Sequence, residues 1–207
     1  KSVVTGNYID NSFIEWTNEH DAAPDFSSEF SFGGLTITGN IFTVNDAASW
    51  FSWIVIKPFG NGHFIQGLSV TGNTFKSLNG TTDRIEQVDD SIAPLVRGSF
   101  RNIVFDGNTF NGIGQVTQNP AMVQFDQASY AATWTIDFAG YLPFGGKARE
   151  VESVVAEGAV LNASSAAVFA MPYATTEVGG SQDQISLTWP EPVRGRIHVT
   201  ARTDKPV

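Results

Sequence analysis

Four stretches of the 207-residue chain decide how it is wound: "VVTGNYI" at 3–9, "LTITGNIF" at 35–42, "LSVTGNTF" at 68–75 and "IVFDGNTF" at 103–110. Each couples an alternating apolar run to a Gly-Asn pair and then to Ile or Phe. The pairs stand at 6–7, 39–40, 72–73 and 107–108, so the intervals are 33, 33 and 35 residues. With 20 Gly and 13 Asn, chance predicts roughly one such pair in a chain this long; five occur and four keep register, Gly60-Asn61 being the outlier. A fixed period of this size marks a solenoid or array.

The flanks carry the same period. Val4, Ile37, Val70 and Phe105 stand two residues before each Gly, and Ile9, Phe42, Phe75 and Phe110 three residues after it. Alternation before the Gly predicts a strand with one buried face. Gly and Asn both tolerate left-handed backbone angles, so the pair predicts a tight bend. A second short strand follows with its Ile or Phe turned inward, and the Asn residues are expected to stack at the bend. A third strand per repeat is expected at "WIVIKP" (53–58), "APLVRG" (93–98) and "AMVQFD" (121–126), and a decayed fifth copy at "IDFAGY" (136–141). A leucine-rich repeat would need a shorter period and a Leu pattern. A propeller blade would need four strands per repeat.

On these four Gly-Asn motifs, residues 2–145 resemble a right-handed parallel β-helix of the pectate-lyase-like superfamily, which includes phage tailspike-like proteins. The expected fold class is therefore all-β: a right-handed parallel β-helix of about four to five coils over 1–145, then a β-sandwich-like capping or oligomerisation domain over 146–207. In the second segment "REVESVVAE", "AAVFAMPYATTEV", "QISLTW" and "GRIHVTAR" read as strands. "EVGGSQD" and "PEPVRG" read as turns, which makes 185–189 and 196–202 a hairpin. A solenoid needs its apolar end covered. Arg194, Arg196, Arg202 and Lys205 crowd the last 14 residues, as solubilising charge or as an inter-subunit contact. The first repeat opens almost at residue 1, with neither Met nor a signal peptide before it, so the chain is expected to be the C-terminal part of something longer.

Composition bounds the partners. The net charge of −9 argues against nucleic acid and against anionic membrane surfaces. No run of 18 apolar residues occurs, so no membrane insertion is expected. The chain has no cysteine, which removes disulfides, thiolate metal sites and a cysteine nucleophile.

Function is expected on the long loops, taken as 14–34, 45–53 and 79–92, which leave each repeat at the same point and cluster on one side. The first holds Glu19, His20, Asp21, Asp25 and Glu29. The second holds Asp46, Trp50 and Trp53, and the third Asp83, Arg84, Glu86, Asp89 and Asp90. Aromatic faces stack on sugar rings, and two carboxylates can act as acid and base in glycoside hydrolysis. The candidate catalytic residues are Glu19, Asp21, Asp89 and Asp90, and the candidate substrate-binding residues are Trp50, Trp53, Arg84 and His20. Acidic loop residues are more often merely solvated, and Trp50 and Trp53 equally suit a core cap. No metal site is expected beyond weak Ca²⁺ binding at Asp89-Asp90, and no cofactor.

Family motifs are fragmentary. Polygalacturonase-like β-helices carry N-x-D, D-D, G-H-G and R-x-K, whereas this chain offers "DD" at 89–90, "GHF" at 62–64 and "RIE" at 84–86, incomplete and in the wrong order. His63 reads as a turn residue. Arg84 beside Asp83 and Glu86 matches the arginine base of a pectate lyase only loosely. The resemblance thus implies recognition of a surface polysaccharide by a homotrimeric, spike-like protein that is extracellular, at a cell surface or on a virion. A polysaccharide lyase or glycoside hydrolase is the alternative, and a purely structural stalk or trimerisation module the third reading. Catalysis stays open on the sequence.

Overall fold

The computed structural model of the chain describes residues 2–19 and 32–205. His20, Asp21, Asp25 and Glu29 lie outside the described residues. The chain is all-β with parallel sheets. It visits three sheets in turn: β1 (Ser2–Thr5), β2 (Tyr8–Asp10), β3 (Ile14–Thr17), β4 (Phe32–Thr38), β5 (Ile41–Val44), β6 (Ile54–Lys57), β7 (Ile65–Thr71), β8 (Thr74–Ser77), β9 (Glu86–Val88), β10 (Arg101–Asp106) and β11 (Thr109–Asn111). The first sheet has the order β1-β4-β7-β10, the second β2-β5-β8-β11 and the third β3-β6-β9. Register follows the sequence period. Val4 faces Ile37, Ile37 faces Val70 and Val70 faces Phe105 in the first sheet. Ile9, Phe42, Phe75 and Phe110 line up in the second.

The bends behave as their chemistry demands. Gly6, Gly39, Gly72 and Gly107 all sit near φ +65, at 67°, 64°, 62° and 63°, a region that penalises a Cβ. The Asn that follows each then bridges to the next turn. Asn7, Asn40 and Asn73 donate through their backbone N–H and their Nδ2 to the Oδ1 of Asn40, Asn73 and Asn108 respectively, each at 3.0 Å. The expected Asn stack is therefore present across all four copies. A second, unforeseen row runs beside it: the Asn45 N–H donates to Asn11 Oδ1 at 2.9 Å and Asn79 Nδ2 to Asn45 Oδ1 at 2.6 Å. Inside, Phe42 stacks on Phe75 (4.8 Å, 8°) and Phe75 on Phe110 (6.1 Å, 15°). Trp53, Ile54, Ile56, Ile65 and Phe100 complete this core.

Several expectations change. The third strand of the first repeat is Ile14–Thr17, inside what reads as a loop. That of the third repeat is Glu86–Val88, not 93–98. Glu86 hides the strand, because a carboxylate in an inward position breaks the apolar pattern. Residues 121–126 open β12 (Ala121–Asp137), which is antiparallel, and 136–141 is no fifth copy: Ile136 and Asp137 pair with Ile185 and Gln184, and a turn follows.

The remaining strands are β13 (Glu150–Ala156), β14 (Leu161–Asn162), β15 (Tyr173–Val178) and β16 (Gln184–Arg202). β16 is central, pairing along its length with β12 on one edge and with β13, β14 and β15 on the other. The segment 185–202 is thus one irregular strand rather than a hairpin, with "PEPVRG" inside it. Phe125 and Trp134 would lie about 30 Å apart on a straight strand, yet their rings are 6.1 Å apart. β12 therefore bends sharply where its register breaks between Gln127 and Thr133. Both halves then bury Trp134, Ile136, Leu187, Ile197 and Val199 in a second hydrophobic cluster.

A polar seam joins the two cores at the free edge of β10. The buried Asp204 carboxylate accepts from the Ile103 N–H (2.8 Å), Asn119 Nδ2 (2.8 Å) and Arg202 Nε (3.0 Å). Arg202 also donates to Ile103 O at 3.0 Å. Asn119 exchanges backbone bonds with Phe105. An edge strand that would otherwise present unpaired groups is thereby closed.

Candidate carbohydrate-binding groove

The third sheet carries the groove. Its strands alternate, so Ile14, Ile54 and Glu86 share one register row and Glu15, Val55 and Gln87 the next. Ile54 and Glu86 are buried in the interior, which leaves the second row on the outer face. Beside it the loop after β5 brings up Trp50, held by a hydrogen bond from Gln87 Nε2 to its carbonyl at 2.9 Å. Trp50 is 62% exposed, and its ring meets that of Phe13 edge-on at 6.3 Å. Asp89, Asp90 and Ser91, just after β9, line the same space. These elements enclose an open groove of about 390 Å³, with Val55 in its lining.

Its electrostatics are uneven. Lys57 Nζ lies 3.0 Å from Asp89 Oδ2. The Lys57 ammonium is pushed up, chiefly by this hydrogen bond, with Glu15 and Glu19 adding to the field. Asp89 is held down at about 2 by hydrogen bonds from Ser91 and from Lys57. Asp89 is thus ionised across the ordinary pH range and is no proton donor. Glu15 and Asp90 make no ion pair among the described residues.

The structure gathers Trp50, Asp89 and Asp90 around one groove, and Glu19 is close enough to act on Lys57. It sends two candidates elsewhere. Trp53 is fully buried between Phe51 (5.3 Å) and Phe75 (5.6 Å), so its indole has no face to offer a ligand. Arg84 is a structural tie: it donates to Glu86 Oε1 (2.6 and 2.9 Å), Leu142 O (2.8 Å), Gln115 Oε1 (3.0 Å) and Ala139 O (3.2 Å). Its carboxylate partner Glu86 is buried and takes a further bond from Thr117 Oγ1 at 2.9 Å. Burial pushes the Glu86 carboxyl up, against the pull of Arg84. His63 sits buried in the β6–β7 turn, against Asn18 and edge-on to Phe32. Among the described residues no three His, Asp or Glu converge on a metal position, and Asp89 is already engaged by Lys57. Glu15 is hidden because 14–34 reads as loop, and the match of "IEWT" to "IVIK" is the signal that finds it. Phe13, just before that loop, and Gln87, within 79–92, carry no signal that singles them out.

No family model matches the chain, and no curated protein matches it. Among solved structures, the tailspike gp61 of Pseudomonas phage phi297 aligns with 81% of this chain at 13% identity and a TM-score of 0.27. The alignment covers 36% of that protein, so the chain spans about a third of its length. At that level of similarity, fold and function rest on the chain's own residues.

Proposed function

We propose that the chain recognises a surface polysaccharide in the groove beside Trp50. The observation that carries this reading is a large exposed indole, edge-on to Phe13, that shares an open groove with Glu15, Gln87, Asp89 and Asp90. Aromatic faces take the apolar face of a sugar ring, and Asp90, Glu15 and Gln87 supply acceptors and a donor for its hydroxyls. With Lys57 neutralised by Asp89, the groove has a surplus of negative charge, which favours neutral or amine-bearing sugars over polyuronates. On the same reading the parallel coil is wound as a right-handed β-helix and serves as a stiff stalk. The C-terminal β-sandwich-like segment, 146–207 with β12 drawn into it, caps the stalk and assembles it. Phe169, Met171 and Tyr173 are exposed there, and apolar side chains left in solvent suit a contact between copies, which this reading takes as a homotrimer. A spike of this design works outside the cell, at a cell surface or on a virion.

The test is a glycan array probed with the native chain and with Trp50→Ala, followed by reducing-end assays on every hit. Hits lost in Trp50→Ala, without cleavage, support recognition. Release of reducing ends would move the reading to a hydrolase, and an array with no hits would leave only the stalk.

A further inference from the structure

A second polar groove, of about 510 Å³, lies on the C-terminal sheet, far in sequence from Trp50. Strand β16 puts Arg194, Arg196 and His198 on one face, because every second residue of a strand points the same way. Two of these three are compensated. Arg196 Nη2 donates to Asp126 Oδ2 at 2.9 Å. His198 Nε2 lies 3.2 Å from Glu157 Oε2, which also accepts from Gln124 at 2.7 Å. Arg194 has no such partner: among the described residues its guanidinium makes no hydrogen bond or ion pair. It lies instead over the Tyr130 ring, 5.0 Å from the centroid.

That placement is built by the sheet. Gln127 faces Gly195 and Ala131 faces Val193, so four steps along β12 oppose two along β16. The surplus residues bulge out and carry Tyr130 to Arg194. Ala128, Ala159 and Gly195 line the groove and leave room in it. A guanidinium held over a ring loses less freedom when its planar fork receives a carboxylate.

We propose that this groove binds an acidic sugar residue, with the sugar carboxylate seated on Arg194. Arg194 and Arg196 bring donors and Asp126, Gln127 and Glu157 acceptors to the one groove, as a polyhydroxylated ring requires, whereas a protein partner would want an apolar centre and finds only Leu161 and small residues. Asp126 and Glu157 flank the site, so it accepts an isolated carboxylate among hydroxyls and disfavours a dense polyanion. The site is independent of the groove at Trp50, whose charge repels such a ligand.

The test is ¹H–¹⁵N NMR of the full chain titrated with glucuronate, with glucose and acetate as controls. Saturable shifts at the amides of Ala128, Ala159 and Gly195 are expected with glucuronate. Glucose should give none there, and acetate at least fivefold weaker binding. Arg194→Gln should weaken glucuronate binding at least fivefold, and Trp50→Ala should leave it within twofold. Absence of shifts, equal response to glucose or to acetate, or indifference to Arg194→Gln would each overturn the proposal. So would ligand-free, concentration-dependent shifts at these amides, which would mark the groove as a contact between copies.

Discussion

Asn73 does the work of several residues. Its Nδ2 donates to Ile37 O and Asn108 Oδ1, both at 3.0 Å, and its Oδ1 accepts two bonds from Asn40. The residue is buried, so Asn73→Ala strands several polar groups without water. A loss of about 2–4 kcal/mol is expected in urea unfolding. Asn7, at the exposed end of the same row, should cost less than about 1 kcal/mol when changed to Ala. Equal costs would mean that the row is not cooperative. Asp89 offers a pH test at the same scale. Its carboxyl lies at about 2 against an ordinary 3.8. A depressed carboxyl stabilises the fold above its unfolded value, and that contribution is lost as the pH falls through about 2. Carboxyl NMR should place its midpoint near 2; a midpoint above 3.5 would show that the bonds to Ser91 and Lys57 do not form in solution.

Strand β9 is where element and energetics meet. Its inward Glu86 depends on Arg84, which ties the third sheet to residues 139–142. Removing one partner of a buried pair is costly, so Arg84→Ala should destabilise by about 3–5 kcal/mol at pH 7. Burial already raises the Glu86 carboxyl, and loss of Arg84 raises it further. The deficit should therefore shrink as the pH falls and the carboxyl takes up its proton. A deficit unchanged with pH would show that Glu86 is not the cause. The same strand shows what sequence conveys. Gly-Asn copies are legible because only a few residues accept the bend they need. β9 is not, since its burial of Glu86 is supported by Arg84 and Thr117, which a pattern of apolar residues does not register. The 185–202 strand escaped for the opposite reason: "PEPVRG" has turn composition, but β12 and β14 supply partners around it. Asn11, Asn45 and Asn79 keep a 34-residue spacing but lack the preceding Gly, so the second row was silent. Trp50 and Trp53 look alike in sequence. Only the fold separates the indole in the groove from the one in the core.

At the scale of the molecule, the parallel coil and the antiparallel sheet meet through Asp204, Arg202 and Asn119, and each presents its own groove. Exposed Phe169, Met171 and Tyr173 set the expectation for assembly. Light scattering at micromolar concentration should give three times the 22.3 kDa chain mass, and Phe169→Asp should shift it toward the monomer. A native monomer at every concentration would remove the trimer. The claim on which the rest depends is that Trp50 is a sugar platform. Calorimetric titration of the strongest array hit into the native chain, Trp50→Phe and Trp50→Ala tests it most directly. A Kd within about threefold of native is expected for Phe, which keeps an aromatic face, and one at least tenfold weaker for Ala, about 1.4 kcal/mol. Native affinity in Trp50→Ala would contradict it.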